Sequence, residues 1–179
     1  MKATRKMPLF IITGASCVGK SAMCEVLFQS ETGYIVLESD ILWSKTYDTP
    51  NDGYRAFRAA WMRVCRDISQ IGMPVVLCGC AVPKQFEPLE ERGSFTRVHY
   101  LAVVCDDDVL EKRLTARRIT DEKWIASSLG FNRWLKEHAG STNPPVSVLD
   151  NTELTPHKAA AAADRWICKH MEEDDAGGQ

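Results

Sequence analysis

Eight consecutive residues near the start of the sequence combine two glycines, a lysine and a serine in a spacing that suits phosphate binding. Glycines let the backbone wrap around an anion with successive N–H groups pointing inward, and the helix that follows adds the positive end of its dipole. The lysine would neutralise β- and γ-phosphates, and the serine hydroxyl would bind Mg²⁺. The segment matches G-x-x-x-x-G-K-[ST] and predicts a site for ATP and Mg²⁺ formed by Gly14, Ala15, Ser16, Cys17, Val18, Gly19, Lys20 and Ser21.

A second candidate is the acidic stretch Glu38-Ser39-Asp40, which follows an apolar, strand-like run. Ligands bind at the carboxyl ends of strands in open parallel sheets, and a carboxylate there can accept a proton or hold Mg²⁺. Of the two acids we prefer Asp40, as a substrate contact and either the catalytic base or, with Ser21, a metal ligand. Its alternative role is the N-cap of a following helix. The next strand-like run ends in Gly79 without an aspartate, which argues against a mechanochemical ATPase.

Two arginines of a later helical pattern, Arg113 and Arg117, lie four residues apart and would project from one helix face. Such a pair can close over a triphosphate and supply positive charge where negative charge redistributes during phosphoryl transfer. We expect both to contact ATP and Arg117 to act in catalysis. The alternative is a solvated helix end whose cations balance the helix dipole.

The segment from Ile41 to Arg63 is rich in aromatic and basic side chains. Aromatic rings can stack on a base or line an apolar acceptor, and arginines can pair with a phosphate. Phe57 and Trp61 are four apart and fit a core-facing stripe instead. A later helical arm adds one arginine, for which a solvated surface position is the alternative. The predicted substrate contacts are Asp40, Trp43, Arg55, Arg58 and Arg133.

Apolar runs of strand length alternate with helical patterns along the chain, which is typical of an α/β fold with a parallel sheet. The predicted strands cover residues 9–13, 34–37, 74–79, 97–104 and 146–149. The predicted helices cover residues 20–29, about 51–71, 84–92, 106–118, about 121–138 and 156 to about 171. The 179 residues fit one domain, with a frayed acidic tail over 172–179.

Composition describes a globular protein of 45% hydrophobic and 26% charged residues with a formal net charge of −2. That charge argues against a broad surface for nucleic acid or an anionic membrane. The cations Lys2, Arg5 and Lys6 precede an apolar run that is too short for a signal peptide. We therefore expect a cytoplasmic monomer or homodimer that acts on a small molecule.

Seven cysteines form no C-x-x-C pair, so we expect reduced thiols, mostly in the core. Cys78 and Cys80 lie two apart on a predicted strand and would share a face, but no companion metal ligands accompany them. Cys17 lies inside the phosphate-binding segment and could be sensitive to oxidation there.

The order of strand, phosphate-binding segment, Asp40 and the R-x-x-x-R of Arg113 and Arg117 resembles the nucleoside-monophosphate-kinase-like group of P-loop kinases. This group includes adenylate, shikimate and gluconate kinases and chloramphenicol phosphotransferase. The resemblance covers residues 9 to about 171 and implies a three-layer αβα P-loop NTPase fold with a five-stranded parallel sheet. It also implies a short helical lid at about 118–140, transfer of the γ-phosphoryl group of ATP with Mg²⁺, and an adenine site bordered by residues 148–152.

Three functions remain open at this point. The mixture of aromatic and arginine side chains favours a kinase of a nucleoside or nucleotide, but the chain lacks the acceptor-site signatures and the long lid of adenylate kinases. A kinase of a sugar or antibiotic hydroxyl is the alternative within enzymes. A regulatory nucleotide-binding NTPase module is the alternative from another class, although no N-K-x-D motif is present.

Overall fold

The computed structural model describes residues 6–30 and 32–177, and within them one parallel sheet organises the chain. Its strands run in the order β2-β3-β1-β4-β5, all parallel, as the sequence predicts. Each boundary lies within one residue of the prediction. The strands are β1 (Leu9–Thr13), β2 (Ile35–Glu38), β3 (Val75–Cys78), β4 (Val98–Val104) and β5 (Ser147–Asp150).

Helices cover both faces of the sheet, because the apolar residues of the central strand alternate in direction. Phe10 and Ile12 face one core cluster with Ile167, whereas Leu9 and Ile11 face a second one. The result is three layers, helix, sheet and helix. The helices are α1 (Lys20–Gln29), α2 (Arg55–Ser69), α3 (Pro83–Phe86), α4 (Asp107–Ala116), α5 (Glu122–His138) and α6 (Pro156–Gly177).

Three helices differ from the sequence prediction by more than two residues. The helix α3 ends at Phe86 rather than at Arg92, and a separate 3-10 turn covers Glu90–Ser94. The helix α2 begins four residues late, since Pro50–Asp52 is a 3-10 turn and Tyr54 adopts a left-handed backbone with φ of 59°. The helix α6 ends later, at Gly177 rather than near Met171, so residues 172–177 are not the predicted frayed tail. Asp174 holds this end against the sheet by accepting a bond from His99 Nε2 at 2.8 Å. Residues 178–179 of the predicted tail, like Lys2 and Arg5, lie outside the described residues.

The region predicted as a lid contains α5, which packs on the sheet through much of its length. Leu135 and Asn132 of α5 are fully buried, and Asn132 bonds both the N–H and the carbonyl of Cys105. The part that borders the site is shorter, from Arg117 to Trp124. Movement of that part as a lid stays a prediction.

Across the ranges 6–30 and 32–177, no helix has the length and apolar character needed to span a membrane.

Candidate active site

The turn between β1 and α1 is the predicted phosphate-binding loop, and close contacts require its two glycines. Gly14 has φ of +152°, and a Cβ there would lie 2.4 Å from the carbonyl oxygen of Val103. Gly19 has φ of +107°, and its Cβ would lie 2.4 Å from Asn151 Nδ2. Lys20 Nζ donates to the carbonyls of Gly14 and Ala15 at 2.7 Å each, so the ammonium group lies within the loop. The loop therefore has the geometry that its sequence predicts.

Beside this loop lies a cavity of about 260 Å³ at the carboxyl ends of the strands. It brings together six predicted site residues from distant parts of the chain, namely Ser16, Cys17, Lys20, Ser21, Asp40 and Arg117. Five further residues line it, Gly79 and four that were not among the predicted site residues, Glu38, Cys78, Cys80 and Trp124. The sequence signal for Glu38 was its place as the other acid of the Glu38-Ser39-Asp40 stretch. The signal for Trp124 was a tryptophan among polar residues, and its side chain is half-exposed in the structure.

The carboxylates reach this cavity because the ends of β2 and β3 approach very closely. A Cβ on Gly79 would lie 2.3 Å from Ser39 Oγ, so only glycine fits without a shift. From the other side, Trp61 Nε1 donates to the carbonyl of Ser39 at 3.0 Å and is itself almost fully buried. Trp61 is thus the core residue that its spacing predicts, and it also fixes the segment that carries Glu38 and Asp40.

Asp40 lies exposed inside a 3-10 turn, Ser39–Leu42, rather than at its N-cap, so the N-cap alternative is wrong. Its Oδ1 accepts a long bond from Ser39 Oγ at 3.4 Å. Glu38 differs, because its Oε1 is buried without a hydrogen-bond partner among the described residues. Mg²⁺ prefers oxygen ligands, and the hydroxyl of Ser21 lines the same cavity. Ser21, Glu38 and Asp40 therefore form a donor set that fits Mg²⁺.

The two arginines of the R-x-x-x-R pattern have different surroundings in the structure. Arg113 is half-buried and bridges two backbone segments, donating to the carbonyl of Val18 at 2.8 Å and to that of Asn151 at 3.0 Å. Arg117 comes after the last residue of α4, where Arg118 turns the chain with φ of 58°. Arg117 therefore points into the cavity while Arg113 holds the loop.

Asn151 contacts the same part of the loop as Arg113, because its Nδ2 also donates to the carbonyl of Val18, at 2.7 Å. It lies directly after β5, in the stretch 148–152 that the sequence resemblance places beside the adenine. Arg113 thus contacts the loop predicted to hold ATP, and its contact with ATP itself stays a prediction.

A second cavity, of about 410 Å³, adjoins the first on the acceptor side. Its walls include Arg58, Tyr54, Phe131 and Trp134, and Cys80 borders both cavities. The sequence predicts Arg58 as a substrate contact but does not show its burial, which leaves only 6% of the residue exposed.

The guanidinium of Arg58 has few partners for a buried cation. One nitrogen donates to the carbonyl of Cys80 at 3.2 Å, and the group lies 5.5 Å from the ring centre of Tyr54 and 5.9 Å from that of Phe86. Its Nε is buried without a hydrogen-bond partner, and no carboxylate pairs with it among the described residues. Burial lowers the pKa of Arg58. A buried cation of this kind is suited to an anionic ligand.

Three predicted substrate contacts lie elsewhere. Trp43 is half-exposed and packs edge-on against Tyr54 and Phe57, and Arg55 is exposed at the start of α2. Arg133 pairs with Asp107 on the surface, and this hydrogen bond lowers the pKa of Asp107. None of the three lines either cavity. Their placement therefore does not support contact with a substrate, and Arg133 takes the surface position that was its alternative.

The sequence matches no protein-family model and no curated protein. Among solved structures, the chain is similar to a gluconokinase from Sinorhizobium meliloti 1021, with a TM-score of 0.72, 16% identity, and coverage of 98% of this chain and 100% of that chain. It is also similar to a sugar kinase from Janibacter sp. HTCC2649, with a TM-score of 0.60, 17% identity, and coverage of 91% and 95%.

The tunicamycin resistance protein of Deinococcus radiodurans gives a TM-score of 0.59 at 13% identity, with coverage of 90% of this chain and 96% of that chain. These likenesses confirm the predicted fold, a five-stranded parallel sheet flanked by helices, and they confirm the resemblance read from the sequence at the level of the fold.

Proposed function

We propose that this protein is an ATP- and Mg²⁺-dependent kinase that transfers the γ-phosphoryl group of ATP to a small-molecule acceptor. The observation that carries the proposal is the junction of two cavities at Cys80. One cavity contains Lys20 and Ser21 of the phosphate-binding loop, and the other contains Arg58 and aromatic rings. A phosphate donor and an acceptor bound on the two sides would meet at that junction, as in-line transfer requires.

On the donor side, the N–H groups of the loop and the ammonium group of Lys20 would hold the β- and γ-phosphates. Ser21, Glu38 and Asp40 would hold Mg²⁺, which neutralises charge on the phosphate oxygens when bound. Arg117 is exposed at the cavity and its side chain makes no hydrogen bond or ion pair with the described residues, so its charge is available to the transferring group.

On the acceptor side, Asp40 would accept the proton of the attacking hydroxyl. The acceptor oxygen forms its bond to the γ-phosphorus while the bond from that phosphorus to the bridging oxygen breaks, and ADP leaves. The carboxylate of Asp40 suits this role because it is exposed to the cavity and receives only one long hydrogen bond.

A nucleoside or nucleotide is the first candidate for the acceptor. Tyr54, Phe131 and Trp134 offer ring faces for a base, and the buried guanidinium of Arg58 would pair with a phosphate. A sugar or antibiotic hydroxyl is the second candidate, favoured by similarity to solved structures described as a gluconokinase, a sugar kinase and a tunicamycin resistance protein.

The test is γ-phosphoryl transfer from radiolabelled ATP across nucleosides, nucleoside monophosphates, sugars, sugar acids and antibiotics. We expect transfer to one acceptor class, lost in Lys20→Ala and Asp40→Asn and retained in Lys112→Ala, a change of an exposed lysine on α4. ATP hydrolysis without transfer to any acceptor would refute the kinase and favour a regulatory NTPase module.

A further inference from the structure

Two cysteines and a glutamate from three different elements meet beside the phosphate-binding loop. Cys24 of α1, Glu38 of β2 and Cys78 of β3 each place a ligand atom within 4.8 Å of the other two. Glu38 and Cys78 are register partners in adjacent parallel strands, so their side chains leave the same face of the sheet. Cys24 lies one helical turn after Lys20 and faces that surface.

The cluster differs from the pair that the sequence suggests. Strand β3 ends at Cys78, and Cys80 lies beyond it, exposed, with its thiol donating to the carbonyl of Gly14 at 3.1 Å. Cys78 and Cys80 therefore do not share a strand face. Cys24 and Cys78 are instead both buried, with 1% and 4% of their surfaces exposed, and no disulfide joins them.

The spacing of the three ligand atoms suits a tetrahedral ion. Zn²⁺ binds thiolate sulfur at about 2.3 Å, which separates two ligand atoms by about 3.8 Å in a tetrahedron. The three ligand atoms lie no more than 4.8 Å apart, so each separation must shorten by about 1 Å or less to reach that geometry. Small changes in side-chain rotamers can provide this shift. Two sulfur ligands favour thiophilic cations such as Zn²⁺ over Mg²⁺.

Two further observations point to a cation here. The Oε1 atom of Glu38 is buried and has no hydrogen-bond partner among the described residues, although a buried carboxylate oxygen normally has one. Glu38 and Cys78 also line the cavity beside the phosphate-binding loop, which gives an ion a path from solvent to the cluster.

We propose that Cys24, Glu38 and Cys78 form a binding site for a thiophilic divalent cation of the Zn²⁺ type. Both thiols release their protons to solvent as the metal–sulfur bonds form. The fourth position faces the cavity that Asp40 also lines, where solvent or that carboxylate completes the coordination. When the cation occupies this site, Glu38 is bound to it and is not available to Mg²⁺ in the ATP cavity, so the cation inhibits the enzyme. This last step rests on the proposed kinase function.

The binding test is a Co²⁺ titration of the full chain under a non-thiol reductant, because Co²⁺ substitutes for Zn²⁺ and thiolate ligation gives a charge-transfer absorption band. We expect a band with the intensity of two thiolates at one Co²⁺ per chain. Cys24→Ser and Cys78→Ser should each lose about half of the intensity and weaken the affinity at least tenfold. Cys65→Ser is the matched control, since Cys65 is fully buried in the other core cluster, and it should keep the full band.

Absence of the band in the unsubstituted protein, or an unchanged band in both Cys24 and Cys78 variants, would overturn the site. Thermal unfolding of each variant, together with Cys24→Ala and Cys78→Ala, identifies any that do not fold. Because the band is read without turnover, it tests the site even if the protein is not a kinase. A Co²⁺ affinity that is identical with and without saturating Mg²⁺–ATP would overturn the competition.

Discussion

Replacing Arg58 by methionine removes a buried cation while keeping most of the side-chain volume. The folded protein loses two cation–π contacts, at 5.5 and 5.9 Å, worth up to about 2 kcal/mol each because the guanidinium is buried, and a hydrogen bond to the carbonyl of Cys80 worth roughly 1.5–3 kcal/mol. It is relieved of the desolvation free energy of an unpaired buried charge, which is several kcal/mol. The opposing effects are of similar size, so we expect the free energy of unfolding to change by less than about 2 kcal/mol.

Acceptor binding should respond much more strongly to the same change. If Arg58 pairs with an anionic group of the acceptor in a desolvated pocket, its loss costs about 2 kcal/mol or more, which is about 30-fold or more in kcat/KM for the acceptor. The KM for ATP should change little, because Arg58 lines the acceptor cavity and not the cavity beside the phosphate-binding loop. The assay is steady-state transfer with each substrate varied in turn.

Arg63→Met is the matched control, because Arg63 lies on the same helix, is 62% exposed at the side chain and pairs with Glu91 on the surface. A surface pair of this kind contributes about 0–1 kcal/mol, and we expect neither stability nor acceptor KM to change measurably. The reasoning about Arg58 would be refuted if Arg58→Met lost more than about 3 kcal/mol of stability while the acceptor kcat/KM stayed unchanged. Arg58 would then be a structural residue of the α2 packing.

Three other perturbations test how the site is positioned. Gly79→Ala should lower the rate of phosphoryl transfer at least tenfold, because its Cβ would meet Ser39 Oγ at 2.3 Å. Adding Ser39→Gly should restore part of this activity. A Gly79→Ala variant with full activity would show that the ends of β2 and β3 can separate. Arg117→Met should lower kcat without changing the melting temperature. Arg113→Met should lower the melting temperature, because the carbonyl of Asn151 loses its side-chain donor and that of Val18 keeps only Asn151 Nδ2. Equal effects of the two variants on both quantities would contradict the assigned roles. Burial lowers the pKa of His99, so the unfolded state binds the proton more tightly than the folded state does. The free energy of unfolding should therefore fall as the pH drops below about 6.5. Thermal melts measure this fall, and it should be absent in His99→Asn.

Local sequence rules predicted the elements next to the phosphate-binding loop most accurately. The bounds of β1 and α1 agree with the prediction to the residue, because the G-x-x-x-x-G-K-S pattern requires a strand before it and a helix after it. The start of α2 was less predictable, since a left-handed Tyr54 ends the preceding turns and no residue type there demands it. The end of α6 was missed because Asp174 gains a partner, His99, that is distant in sequence.

The candidate site was predictable where one motif carries it and not where it depends on tertiary contacts. Helical spacing placed Arg113 and Arg117 on one face, but Arg113 is bonded to two backbone carbonyls, whereas Arg117, just after the end of α4, lines the cavity. Arg55 and Arg58 looked equivalent in the sequence. Only packing distinguishes them, because Arg58 faces the second core layer and Arg55 faces solvent.

Two of the five side-chain atoms that are buried without a hydrogen-bond partner among the described residues belong to residues of the two adjoining cavities. A buried donor or acceptor left unpaired costs about 1–3 kcal/mol, which is a large fraction of the stability of a domain. Within residues 6–30 and 32–177, such atoms include Oε1 of Glu38 and Nε of Arg58, and each residue lines one of the two adjoining cavities. Their charges are opposite, so one side of the junction at Cys80 is suited to a cation and the other to an anion. A metal-bound phosphate donor on the first side and an anionic acceptor on the second would give both atoms a partner. Because each ligand removes the free-energy cost of an unpaired buried atom, replacing Glu38 or Arg58 should weaken ligand binding in the cavity that it lines.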